Sequence, residues 1–468
     1  MNLNQEQNKP EITITTMGHV NHGKSTLVGY LLYALGEIDE REIVKIGEEA
    51  ESEGHEDRKL AWVVDKVKEK PTQTVTPGDV SFRTENFNVN AIDIPGHVAY
   101  VPRGIRGVVE SDAGLLVISA KGKDYVKGLL RYKLKGGRYL IGQAREYAFI
   151  AANLGLLNKL IVVISKMDTV MYSQEKYDEV KEATMDVLNE YGFNVERIAF
   201  IPTSVNPFDI TAENAIKKSM KMPWYNGYTL LQAINHLPPP SSQVNKPLRF
   251  FVDSVFEQPS GVKLVVGGYI ETGKVKKGDK LLIEPHHIAA EVKSIRARDR
   301  EELEALAGTM PTIGLRGNKG ELTKKRIGKS PIVGHLENPP KVASELIGDV
   351  YILWNPSPIK KGFGCDIHIA HQKTSCHISE LIKKTSITTN VSEDNPNTIW
   401  TGDKAKIKVG LDSPLCAELF KEIPSIGTFF LRTQSITIAA GVITEIIERR
   451  GKGFSHVIAQ SIRGGGEK

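Results

Sequence analysis

The stretch Gly18-His19-Val20-Asn21-His22-Gly23-Lys24-Ser25 spells G-x-x-x-x-G-K-S, a spacing that dictates local backbone shape more than any other part of the chain. It follows an apolar, β-branched run from Ile12 to Thr16 and precedes a helical run from Thr26 to Leu35 that stops at Gly36. Strand, glycine-rich turn and helix in that order make a phosphate loop. Glycines let consecutive N–H groups turn inward around a polyphosphate, a lysine adds a point charge toward its β- and γ-phosphates, and the following hydroxyl supplies a Mg²⁺ oxygen. Gly18 to Thr26 are therefore expected to bind a nucleotide, with Ser25 also on the metal.

The 468 residues leave room for about three domains. Hydrophobic content of 40% and charged content of 25% are ordinary for a soluble globular protein. The longest apolar runs, near Leu115 to Ile118 and Leu160 to Ile164, fall far short of the ~20 residues that cross a bilayer, so no membrane partner is expected. Met1 to Pro10 lacks a basic-then-apolar signal pattern. Three widely spaced cysteines, Cys365, Cys376 and Cys416, argue against a disulfide framework and for a reducing, cytoplasmic location. A net charge of +5 is too mild to imply nucleic acid by itself.

From Glu11 to about Pro240, strand-like runs (Glu11 to Thr16, Val89 to Asp93, Gly114 to Ser119, Lys159 to Ser165, Ile198 to Thr203) alternate with helical ones. That alternation predicts a mainly parallel sheet covered by helices, with ligand loops at the strand ends. Pro238-Pro239-Pro240 reads as a linker, and beyond Lys246 the short β-rich runs suit two small barrels meeting near Asn338-Pro339-Pro340. The expected fold is an α/β phosphate-loop domain over residues 1–240 followed by β-barrels over 246–336 and 337–448, with a basic, mobile tail over 449–468.

Asp93-Ile94-Pro95-Gly96-His97 follows a strand-like run, which sets Asp93 beside the phosphates to hold Mg²⁺ through water and the Gly96 amide to sense a γ-phosphate. Ser165-Lys166-Met167-Asp168 ends another strand. A carboxylate there accepts both N1–H and N2–H₂ of guanine, whereas adenine leaves it facing an acceptor, at roughly 1–3 kcal/mol or more. Ser204 and the Val205 backbone, at the end of a further strand, are expected to support the base.

With these motifs in place, the chain resembles translational GTPases of the elongation factor one-alpha type, archaeal and eukaryotic form. The likeness extends beyond GHVNHGKST, DIPGH and SKMD to AWVVDKVKEK (Ala61 to Lys70), MPWYNG (Met222 to Gly227), NKPLRF (Asn245 to Phe250), ETGKVKKGD (Glu271 to Asp279), VGHLENPP (Val333 to Pro340) and TGDKAKIK (Thr401 to Lys408). The resemblance implies a GTP-binding domain followed by two barrels. It also implies GTP, GDP and Mg²⁺ as ligands, the ribosome with its RNA as partner, and tRNA or a tRNA-mimicking protein as cargo, the chain being monomeric off the ribosome. By position, Thr76 joins Ser25 on Mg²⁺ and His97 orients the attacking water. Two other readings stay open: a divergent ribosome-binding factor serving release, rescue or idle ribosomes, and the GTPase subunit of a sulfate-activating enzyme. The phrase matches in both barrels argue against the latter.

The chain departs from the family at several points. Asn21 stands for the usual aspartate, Ser165 for the usual asparagine, and Thr74 and Pro77 flank Thr76 in the first switch, so weaker guanine-nucleotide affinity is expected. Arg296-Ala297-Arg298-Asp299-Arg300 and Tyr269 replace the residues that line the family's aminoacyl pocket. Residues 121–145 form a basic insertion with eight basic residues against one acid. Within it, alternation around Gly136-Gly137 predicts a hairpin pairing Lys135 with Arg138 and Leu134 with Tyr139. Arg131, Lys133, Lys135 and Arg138 would then share a face suited to RNA, a solvated loop being the alternative. His368, His371, Cys376 and His377 match no usual zinc spacing, and His286-His287 reads as a solvated turn.

Overall fold

The structure is a computed structural model that describes residues 9–52, 60–64, 79–94, 101–133, 139–154, 156–206, 210–240, 243–257, 264–297, 300–318, 322–328, 330–353, 355, 357–386, 392–433 and 436–448. It divides into two compact units, Met1–Pro240 and Ser241–Lys468.

The first unit holds strands β1 (Glu11–Met17), β2 (Asp79–Arg83), β3 (Asn88–Asp93), β4 (Ala113–Ser119), β5 (Arg131–Lys133), β6 (Tyr139–Ile141), β7 (Leu160–Ser165) and β8 (Ala199–Pro202). Six of them form one sheet in the order β2-β3-β1-β4-β7-β8. All neighbours are parallel except β2, an antiparallel edge strand the sequence reading did not include. Every residue of β4 and β7 is buried, which is why these strands read as continuous apolar runs: both sheet faces are covered. Register brings Thr16 beside Asp93 and Ser119 beside Ser165, so β1 and β3 finish nearly level while β4 and β7 finish level with each other, three residues beyond Met17. Loops leaving those ends are neighbours in space. At β1 the chain crosses to β3 on one side and β4 on the other, the switch point where open α/β sheets bind ligands.

The helix Lys24–Ala34 buries Leu27, Val28, Leu31 and Leu32 against that sheet, each side chain worth roughly 1.5–3 kcal/mol. Gly29 permits its close approach, since a Cβ there would lie 2.1 Å from the Leu60 carbonyl oxygen. Gly36, at φ 77°, ends the helix in the left-handed conformation that glycine takes without cost. No helix among the described residues is long and apolar enough to cross a membrane.

Small antiparallel strands β5 and β6 confirm a hairpin in the insertion but correct its register. Lys133, not Leu134, stands opposite Tyr139, with Tyr132 opposite Leu140 and Arg131 opposite Ile141. The five residues between Lys133 and Tyr139 are an odd number, whereas a two-residue turn needs an even one. Arg131 and Lys133 therefore stand opposite Ile141 and Tyr139. Lys135 and Arg138 lie outside the described residues.

The second unit contains two closed six-stranded antiparallel barrels. One runs through Lys280–Glu284, Ile332–His335, Arg249–Glu257, Leu264–Thr272, Thr312–Gly317 and Ile288–Ala297, which returns to the first strand. The other runs through Gly364–Ile369, Thr428–Thr433, Ile436–Glu448, Val342–Ile352, Asp403–Cys416 and Gln372–Ser386, and closes likewise. Closure removes the unpaired edges that would otherwise template aggregation. Arg249 joins the barrels: Nε and Nη2 donate to Glu418 Oε1 at 2.8 and 2.6 Å, and Nη1 donates to the Leu248 and Asn338 carbonyls at 2.7 and 3.0 Å. His286 and His287 sit on a turn, His286 exposed and His287 partly so, with His287 Nδ1 meeting the buried Glu284 carboxylate at 2.9 Å. Along Gln372–Ser386, Cys376 faces inward and His377 outward.

Candidate functional site

The turn after β1 is shaped by backbone that side chains resist. Gly18 sits at φ 142°, and a Cβ there would come within 2.3 Å of the Val117 carbonyl oxygen; Asn21 (φ 61°) and Gly23 (φ 89°) are also left-handed. Asparagine tolerates that region far better than most residues, which suits it to position 21. The turn leads into the N-terminus of Lys24–Ala34, where free amides and the helix dipole favour an anion.

Lys24 is buried, and its ammonium donates to the Gly18 and His19 carbonyls at 3.1 and 2.8 Å. Burial pulls its pKa down to about 8, while the neighbouring Asp93 acts in the opposite sense. Ser25 Oγ donates to Asp93 Oδ2 at 2.7 Å, and Thr16 Oγ1 donates to Asp93 Oδ1 at 2.9 Å. A serine hydroxyl next to an oriented carboxylate is the donor set of a hard cation. Among the described residues no three His, Cys, Asp or Glu side chains gather to hold a metal, and a Mg²⁺ that keeps its waters does not require them. The residues present fit that ion.

His22 is fully buried, its ring nitrogens facing the Val117 and Asp124 carbonyls at 3.0 and 3.3 Å. Burial pushes its pKa down to about 3, so the ring is neutral near pH 7 and rigidifies the loop without adding charge. His19 meets it edge-on at 5.4 Å and is likewise shifted down by burial and by Lys24.

The loops after β7 and β8 arrive from the other side. Ser165 Oγ, at the end of β7, donates to the His22 carbonyl at 2.6 Å and so ties this loop to the phosphate loop. Lys166 turns the chain through a left-handed conformation, and the Met167 amide donates to the Thr203 carbonyl at 3.2 Å. Asp168 Oδ1 accepts from Ser204 Oγ at 2.5 Å. The Ser204 hydroxyl, expected to support the base, orients the carboxylate; Val205 follows it in a short strand, Ser204–Asn206.

The described residues thus bring together Gly18 to Thr26, Asp93, Ser165, Lys166, Asp168, Ser204 and Val205 at one edge of the sheet. Thr76, Gly96 and His97 lie outside the described residues. Thr16 and Asp124 were missed by the sequence reading. The level register of β1 and β3 carries the only signal for Thr16, and the Asp124 contact is a backbone carbonyl that side-chain identity does not encode.

Comparison with known proteins agrees with this geometry. The family model described as "Elongation factor Tu GTP binding domain" matches residues 9–240, and "GTP-eEF1A C-terminal domain-like" matches residues 346–444. Elongation factor 1-alpha of Aeropyrum pernix is 36% identical over 443 residues, covering 94% of this chain and 97% of that protein. That of Methanothrix thermoacetophila is 37% identical over 447 residues, covering 94% and 99%. Among solved structures, the S. cerevisiae Ski7 GTPase-like domain bound to GTP shares the fold with a TM-score of 0.71 at 15% identity, covering 95% of this chain and 99% of that one. The apo elongation factor SelB of Methanococcus maripaludis shares it with a TM-score of 0.62 at 18% identity, covering 94% and 80%. A phosphate loop, an ordered carboxylate beside it and the Asp168–Ser204 pair on the same sheet edge, joined to these matches, make the chain a member of the elongation factor 1-alpha family of translational GTPases.

Proposed function

We propose that the first unit binds GTP with Mg²⁺, that hydrolysis occurs on the ribosome in the cytoplasm, and that the cargo is tRNA or a tRNA-shaped protein. The observation carrying this reading is the convergence of Lys24, the Ser25–Asp93 pair, the Ser165–His22 tie and the Asp168–Ser204 pair on one sheet edge. In it, the amides of Gly18 to Thr26 and the Lys24 ammonium hold the β- and γ-phosphates. Ser25 and Thr76 hold the metal, Asp93 does so through water, and Gly96 senses the γ-phosphate. The ion, when bound, neutralises charge developing on the phosphate oxygens. His97 orients water for in-line attack on the γ-phosphorus: a new P–O bond forms as the bond to the β–γ bridging oxygen breaks, leaving GDP and phosphate. Positioning and charge stabilisation do this work, without a covalent intermediate.

The cargo reading tilts toward a divergent carrier serving release, rescue or idle ribosomes. Tyr269 is buried in the first barrel wall, while Arg296 and Arg300 are exposed beside Glu301 and Glu302 in a short hairpin, where the family usually has an acidic and histidine lining. Arg131, Lys133, Lys135 and Arg138 are proposed to touch ribosomal or transfer RNA.

Titration of nucleotide-free protein with GTP, GDP and ATP, followed by hydrolysis with and without ribosomes, tests the reading. Guanine nucleotides bind, ATP does not, and His97→Ala slows ribosome-stimulated hydrolysis by ~10²-fold or more without weakening GTP binding. Absence of guanine-nucleotide binding at millimolar concentration overturns it. Recovery of charged tRNA from lysate on the GTP-loaded protein would return the cargo to ordinary elongation.

A further inference from the structure

The three cysteines are free thiols, and two of them meet in the second barrel. Strand Gly364–Ile369 turns through Ala370 and His371 into Gln372–Ser386, and counting rungs back from Ile369 opposite Gln372 sets Cys365 directly opposite Cys376. Alternation points Cys376 inward with Gln372, Thr374 and Ile378, all buried. The two sulfurs are 3.5 Å apart. Opposed residues on antiparallel strands have Cα atoms about 4.5–5.5 Å apart, within the roughly 4.4–6.8 Å that disulfides span. The neighbours on either side, Thr428–Thr433 and Asp403–Cys416, hold both strands of the hairpin in the closed barrel.

We propose that Cys365 and Cys376 are a redox modification site, forming a reversible cross-strand disulfide when the oxidant is a peroxide. Cys365 is partly exposed and is reached first, whereas Cys376 is 3% exposed. The contact with Cys365, with burial, pushes the Cys376 thiol upward, and the more exposed Cys365 is the sulfur that meets the oxidant. The Cys365 sulfur attacks one peroxide oxygen, an S–O bond forms as the O–O bond breaks, and the Cys365 proton leaves with the departing oxygen as water. The Cys376 sulfur then attacks Cys365 Sγ. The S–S bond forms as the S–O bond breaks, and the Cys376 proton leaves in a second water. Two thiols supply two electrons, and hydrogen peroxide becomes two waters.

The bland alternative is a pair of small side chains filling the barrel wall. To separate the two, the native full-length protein is treated with hydrogen peroxide, quenched in acid, alkylated in denaturant and weighed. Alkylated cysteines are expected to fall from three to one, with a linked peptide pair containing Cys365 and Cys376 about 2 Da lighter than its reduced parts, and dithiothreitol restores three. Cys376→Ser should leave a sulfenic acid on Cys365 that dimedone traps, and Cys416→Ser should leave the two-thiol loss unchanged. Circular dichroism of each variant separates failure to fold from failure to react. Three thiols still alkylated, oxygen retained on Cys365 beside a free Cys376, or a bond to Cys416 or to a second chain would each overturn the proposal.

Discussion

Two buried cations, one in each unit, are held in opposite ways. Arg249 has a carboxylate of its own: Glu418 takes two of its donors and backbone carbonyls take others, so its charge is compensated within the fold. Lys24 is held by the carbonyls of Gly18 and His19, dipoles in place of a formal counter-charge in direct contact, and burial pulls its pKa down to about 8. The comparison separates a charge consumed by architecture from a charge kept in readiness for an incoming anion. A buried cation with its own carboxylate has little left to offer a ligand, whereas one seated on carbonyls gains when phosphate arrives.

Breaking each site in turn should give opposite outcomes. Arg249→Ala leaves the buried Glu418 with Lys341 at 3.4 Å in place of its two guanidinium bonds and is expected to cost up to about 3–5 kcal/mol of unfolding stability, measured in urea, with GDP affinity unchanged. Replacing both partners, Arg249→Met with Glu418→Leu, should cost less than either single change, because no unpaired charge is left behind. A double mutant as unstable as the sum of the singles would show that the two side chains do not couple. Lys24→Ala inverts the pattern: GTP affinity falls by ~10²–10³-fold, about 3–4 kcal/mol of charge-assisted hydrogen bonding, with unfolding stability nearly unchanged. Equal losses of stability in both variants would erase the distinction.

Protonation sharpens the comparison further. Lys24 has its folded pKa lowered from 10.5 to about 8, so below pH 8 the free protein carries a penalty for the buried charge, relieved as pH rises from 8 toward 10.5. Bound phosphates favour the ammonium, and binding above pH 8 must therefore take up a proton. GTP affinity should fall by up to about tenfold per pH unit between pH 8 and 9.5, and Lys24→Arg should flatten that slope. His22 moves stability in the acid range: with its folded pKa near 3 against 6.5, it contributes fully above pH 6.5, and that contribution is lost as pH falls toward 3.

How far these sites could be read from the sequence follows from how local they are. The phosphate loop is contiguous, its glycines occupy left-handed positions, and a strand and helix flank it, so Gly18 to Ser25 fixed the site before any contact was known. Asp93, Ser165 and Asp168 each follow an apolar run, and strands running parallel put such ends on one edge of the sheet. Arg249, on a strand of the first barrel, and Glu418, in the loop after Asp403–Cys416, are 169 positions apart, and nothing local announces their bond. The hairpin slip has a similar origin: alternation about Gly136-Gly137 reads equally well in registers one residue apart, and only pairing decides between them. Edge strand β2 escaped because its five residues carry just two buried apolar positions, Val80 and Phe82.

The smallest effect tests whether the two halves of the nucleotide site are energetically joined. Ser165 stands where the family usually has asparagine, a longer side chain with both donor and acceptor. Its hydroxyl reaches the His22 carbonyl at 2.6 Å, so the loop after β7 is tied to the phosphate loop by one neutral hydrogen bond. Such a bond nets about 0.5–1.5 kcal/mol. Ser165→Ala should weaken GDP binding by roughly 3–10-fold, mainly through faster release, because both loops must stay in place to retain the ligand. Ser165→Asn should tighten it, since an amide reaches further and can also accept. Stopped-flow release of a fluorescent GDP analogue distinguishes these outcomes, and equal release rates from the wild type and Ser165→Ala would mean that the loops hold their places independently.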